Sequence, residues 1–140
     1  MPETTYSTPE EAAMEGLPAA HCRVVASIAE GDDAFVVIDT GPAGHPYLDG
    51  AAVRRVDGGW VGGSSGNGGG WTLTDDEGEL GTLHVWGEAP AGAEAVRVVW
   101  GGEVREAPVR NGVYLVAWWR VPCPAADGPQ VAGFRMGGRG

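Results

Sequence analysis

Residues 96–121 read Val-Arg-Val-Val-Trp-Gly-Gly-Glu-Val-Arg-Glu-Ala-Pro-Val-Arg-Asn-Gly-Val-Tyr-Leu-Val-Ala-Trp-Trp-Arg-Val. Three strand-like runs, 96–100, 103–110 and 113–121, are separated by Gly101-Gly102 and Asn111-Gly112. Gly-Gly and Asn-Gly tolerate the positive φ angles of a type I′ turn, whose twist matches that of the paired strands. Pro108 has no N–H to donate, so it belongs at an edge or bulge of the middle run. In the last run Tyr114, Val116 and Trp118 share one face and Val113, Leu115, Ala117 and Trp119 the other. The second set has the composition of a core. The first is apolar as well, so both faces are expected to be covered, either by the first half of the chain or by a partner.

The same alternation extends outward from this stretch. Residues 81–86 (Gly-Thr-Leu-His-Val-Trp) and 129–136 read as further strands. Upstream, residues 21–29 alternate with Cys22, Val24, Ala26 and Ile28 on one face, followed by a turn and a second strand at 34–40. A third strand spans 47–56, with a bulge expected at Asp49-Gly50, and Asp57-Gly58-Gly59 turns into a fourth that begins at Trp60. Residues 7–16 carry a helix signature: Ser7 or Thr8 as N-cap, Pro9 in the first turn, Glu11 placed to close a capping box with Thr8, and Gly16 and Pro18 at the end. The spacing predicts a mainly β fold: two small antiparallel sheets packed as a sandwich or open barrel, with one short N-terminal helix. Residues 1–140 are expected to form a single domain built from two β halves, 1–61 and 81–140. The expected connection is a Gly-rich loop over 62–80.

The chain has 140 residues, 43% of them hydrophobic, which suffices for a packed core and excludes a disordered tail. Its 25 Gly and 10 Pro therefore read as turns between short strands. Nineteen acidic residues face nine basic ones, a net charge of −10 that repels phosphate backbones and anionic headgroups. Nucleic acid and membranes are not expected partners; a protein partner, a second copy or a small molecule is. All nine basic residues are Arg, which matches a GC-rich coding bias rather than a choice for phosphate. The first residues show no secretion signal, so the expected location is the cytoplasm, where Cys22 is a buried thiol rather than half of a bridge to Cys123.

Several stretches resemble a group of short hypothetical proteins from high-GC actinobacteria. They are residues 6–13, 31–34, 46–48, Asp57-Gly-Gly-Trp60 with Gly66-Asn67 and Gly70-Trp71, and 112–115 ahead of Trp118-Trp119. The resemblance transfers no catalytic residue. The second half also resembles immunoglobulin-like β-sandwich modules, a likeness of fold that carries no function.

Known chemical signatures are weak. Residues 62–70 hold six glycines but neither the Lys nor the following helix that a phosphate-binding loop needs. His21, His45 and His84 are far apart and form no ligand pair, and Asp75-Asp76 lacks the spacing of a calcium loop. No metal and no cofactor is expected, and no catalytic residue is assigned. The leading expectation is a non-catalytic binding or interaction module, with contacts at Trp60, Ser64, Ser65, Asn67 and Trp71 and at the Trp118 and Tyr114 face. One alternative is a small hydrolase using Ser65 or His45 with a carboxylate, or Ser65 with His84 and Asp75. The other is a structural protein that assembles through sheet edges or the Trp118 face.

Overall fold

A computed structural model describes residues 5–18, 20–42, 45, 47–66, 70–75, 80–122 and 128–137. The fold is mainly β, and the described residues form one short helix and three antiparallel sheets, none closed into a barrel. The chain divides into two compact units, Met1–Gly69 and Gly70–Gly140.

The first unit opens with α1 (Pro9–Ala13), held by the expected capping box. The Glu11 N–H donates to Thr8 Oγ1 at 3.1 Å, and the Thr8 N–H donates to Glu11 Oε1 at 3.2 Å. Four strands follow as a meander: β1 (Arg23–Glu30), β2 (Asp33–Asp39), β3 (Leu48–Val56) and β4 (Gly59–Gly66). The helix covers one face of this sheet, where Ala12 packs with Ala34, Val36, Ile38, Val53 and Trp60. Ser27 on β1 ties the helix down by donating to Glu10 Oε2 at 2.6 Å.

The structure corrects two register readings. Cys22, Val24, Ala26 and Ile28 do not share a face. A bulge between Val24 and Ala26 leaves Cys22 and Val24 on the helix side, while Ala26 and Ile28 pair with Val37 and Phe35 on the opposite side. The extra residue of a bulge reverses the alternation beyond it. Asp49-Gly50 is not a bulge, since both residues stay in register with Ile38 and Val37; the irregularity lies at Ala51/Val53.

A further correction concerns residues 62–80. Residues 62–66 complete β4 and residues 70–75 form β5 (Gly70–Asp75), so the glycine run is largely strand rather than loop. Strand pairing uses backbone groups that glycine has in full. Gly62 also has a packing reason. A Cβ there would lie 3.3 Å from the Ala12 carbonyl, so the missing side chain is what lets the helix come down onto β4. Asn67 lies outside the described residues, as do 76–79 and Cys123.

The second unit contains β5, β6 (Leu80–Glu88), β7 (Ala93–Trp100), β8 (Glu103–Pro108), β9 (Val113–Pro122) and β10 (Gln130–Met136). Gly101-Gly102 and Asn111-Gly112 have the positive φ values expected of them, 59° and 80° and then 56° and 73°. The second turn does not continue the meander, however. β9 makes one bridge, Arg110 with Val113, and then joins β6, giving the sheet orders β5-β6-β9 and β10-β7-β8. Pro108 accordingly sits on an edge strand. The two sheets enclose Leu83, Val85, Val96, Val98, Trp100, Val116 and Trp118, with Tyr114 and Phe134 at the margin. The cover over the Tyr114, Val116 and Trp118 face therefore comes from strands of the same half.

Candidate functional site

The first unit contains a cleft of about 290 Å³ where α1 and the turn after it stand over the sheet. Ala12, Ala13, Glu15 and Leu17 form one wall, and Ile38, Asp49, Ala51, Val53 and Gly62 form the other. The space comes from small side chains on both sides, because Ala12, Ala13, Ala51 and Gly62 leave room that larger residues would fill. Among the described residues its lining carries two carboxyl groups, Glu15 and Asp49, and no basic residue.

Asp49 gets there by strand register. It pairs with Ile38, so it shares the helix side of the sheet with Ala51 and Val53. Thr40 Oγ1 donates to Asp49 Oδ2 at 3.1 Å. Asp49 Oδ1 is buried and has no hydrogen-bond donor among the described residues. A buried carboxylate oxygen without a donor is costly, so an arriving group of positive charge gains what the fold leaves unmatched. Sequence reading missed Asp49 by treating it as a bulge residue. The available signal was a carboxylate alternating with Ala51 and Val53, on the apolar face of a strand.

The residues singled out from sequence have other placements. Trp60 is a core side chain of the first unit, 5% exposed, with the Arg55 guanidinium 4.7 Å from its ring centroid. Its backbone is bridged on both sides to Tyr6, at 2.9 and 2.8 Å, so the N-terminal segment covers this edge of β4. Ser65 pairs with Ala51 along β4, and Ser64 precedes it in the same strand. Trp71 belongs to the second unit. It is 49% exposed at the start of β5, close against Gly128, where a Cβ would collide with its ring.

Trp118 is 1% exposed at the centre of the sandwich. Its indole N–H donates to Glu103 Oε1 at 3.0 Å, and the Arg105 guanidinium lies over the ring at 4.8 Å. Arg105 also donates to the Ala117 carbonyl at 2.7 Å, which covers the outer edge of β9. This contact with Trp118 holds the Glu103 carboxyl below the usual carboxylate range, helped by Arg105. Tyr114 is half-buried against Phe134, and its hydroxyl occupies the space above Gly87. Half-burial pushes the Tyr114 phenol up. Trp118 thus lies inside the core of this unit and Tyr114 at its margin.

His21 and His45 are exposed, while His84 is 2% exposed on β6, edge-on to Trp119 with ring centroids 4.8 Å apart. Burial lowers the His84 pKa to about 3, which keeps the imidazole neutral. Among the described residues no group of three His, Cys, Asp or Glu side chains is placed to hold a metal ion. Also among them, no helix is long and apolar enough to cross a membrane. Comparison with protein-family models, with curated proteins and with solved structures finds no match to the chain.

Proposed function

We propose that the protein is a non-catalytic binding module and that the cleft between α1 and the first sheet is its binding site. The observation that carries this reading is a concave space lined by small apolar side chains, with one buried carboxylate oxygen left without a donor. A few polar groups on an otherwise apolar concave surface are the general pattern of small-molecule sites. The hydrolase reading needs a nucleophile and a base in one cleft, and among the described residues the lining of this one includes no Ser, Cys or His. In the second unit Trp86, Trp100 and Trp118 are buried in packing, which leaves no aromatic face of these three for a ligand.

A fragment mixture titrated into the isotopically labelled chain tests the proposal, with amide shifts followed by NMR. The expected outcome is shifts clustered at residues 12–17, 49–53 and 62. Ala13→Leu, which puts a larger side chain on a helix wall that accepts it, should abolish them. Shifts confined to other strands, or unaltered by Ala13→Leu, would remove the cleft as the site.

A further inference from the structure

Resting on the cleft as the binding site, we infer that its ligand is a small aliphatic amine bound as its ammonium ion. Among the described residues the lining combines two carboxyl groups with alkyl side chains, and these residues offer neither a basic group nor a side-chain amide or hydroxyl. An anion would meet only like charge there. A neutral polar ligand would find side-chain acceptors but no side-chain donor. An ammonium group brings three donors and one positive charge, and a short alkyl tail matches Ala12, Ala13, Leu17, Ile38 and Val53.

Asp49 is the anchor. Thr40 fixes one of its oxygens at 3.1 Å, so the carboxylate is oriented before the ligand arrives, and the other oxygen has no donor among the described residues. Glu15 lies at the exposed rim of the helix wall, where solvent screens it more, so its contribution is the smaller. The surroundings agree in sign. Residues 1–69 carry ten Asp or Glu against three Arg, a formal charge of −7 that raises the local concentration of cations. The size of the cleft, about 290 Å³, is at the small end for organic ligands and suits a tail of a few carbons.

The test compares three probes of similar length on the full chain: n-butylammonium, 1-butanol and pentanoate. Butylammonium should saturate the shifts at residues 12–17 and 49–53, with 1-butanol and pentanoate at least roughly tenfold weaker. Asp49→Asn should weaken butylammonium by roughly tenfold or more, and Glu15→Gln by about two- to threefold. Added salt should weaken butylammonium and leave 1-butanol unchanged. Glu15→Gln and the salt series keep the inference open to refutation if Asp49→Asn fails to fold. Equal binding of 1-butanol, or an Asp49→Asn variant that folds and binds butylammonium as before, overturns the amine assignment and leaves the cleft a binding site. If neither the three probes nor the fragment mixture perturbs these residues, both readings fall.

Discussion

The first unit covers a sheet face with a helix of five residues, whereas the second covers a sheet with another sheet. The helix meets its sheet through Ala12 over Gly62, and contact between such small residues leaves space beside it. The sandwich closes over Trp100 and Trp118, stacked edge to face with centroids 5.6 Å apart, and large rings fill the gap between layers. Charge follows the same division. Residues 70–140 hold nine acidic and six basic residues, a formal −3 against −7 in the first unit. On β7, β8 and β10 those charges pair as a chain, Glu94 with Arg135, Arg135 with Glu106, and Glu106 with Arg97. Among the described residues the first unit keeps an open, negatively charged cleft, and this difference supports the binding site proposed there.

The strongest challenge to the comparison is Trp118→Ala. It empties the middle of the sandwich and leaves Glu103 and Arg105 without the ring they hold. The expected loss is about 3–5 kcal/mol by urea denaturation, with faster amide exchange in β6, β7 and β9. A loss below about 1 kcal/mol would mean that the aromatic core does not hold this unit. Acid provides the next largest effect, through His84. Its pKa is 6.5 when free and about 3 when folded, so the unfolded chain takes up a proton that the folded chain refuses. Stability is full above pH 6.5 and falls as pH drops toward 3, by roughly 3 kcal/mol at pH 4. Denaturation curves at pH 7 and pH 4 measure this, and His84→Leu should flatten the difference. Glu103 adds a loss of the same sign below the ordinary carboxylate range, because its folded pKa is depressed.

Gly62→Val acts on the other side of the comparison. Even the first carbon of a side chain would stand 3.3 Å from the Ala12 carbonyl, so the helix must lift. A cost of about 1–3 kcal/mol in thermal unfolding is expected, together with loss of binding in the cleft. An unchanged melting curve with intact binding would show that the close approach of helix to sheet is not what shapes the cleft.

Much of this architecture was legible from local chemistry. The Asn111-Gly112 and Gly101-Gly102 turns were readable because positive φ at two successive positions restricts residue type. The capping box was readable because Thr8 and Glu11 are three positions apart and each satisfies the other. The partner of β9 was not. A turn fixes where the chain reverses, and Asn111-Gly112 does reverse it, but only tertiary packing decides whether the next strand stays in the same sheet. The bulge at Val24/Ala26 was hidden for a related reason, since one unpaired residue leaves no compositional trace in an apolar run. Aromatic side chains signal recognition and burial equally, so Trp60 and Trp118 suit contact from their sequence and are core in the fold. Asp49 carries no such local signal, because its significance depends on Thr40 and on a helix that ends at Ala13.

The smallest expected effect is also the most selective. Thr8→Ala removes the hydroxyl that accepts the Glu11 N–H, while Glu11 Oε1 keeps its bond from Ser7 Oγ at 3.0 Å. Loss of an N-cap of this kind costs about 1 kcal/mol. A helix of five residues has no stability of its own, so the loss appears as fraying of α1 against the sheet. Amide exchange should quicken in residues 10–15 and remain unchanged in β7 and β9, and Thr8→Ser should restore it. Because Ala12, Ala13 and Glu15 form one wall of the cleft, butylammonium affinity should fall with the same variant and recover with the same rescue. Faster exchange in α1 with unchanged affinity would separate the helix from the site, and would leave the β3 wall with Asp49 as the part that binds.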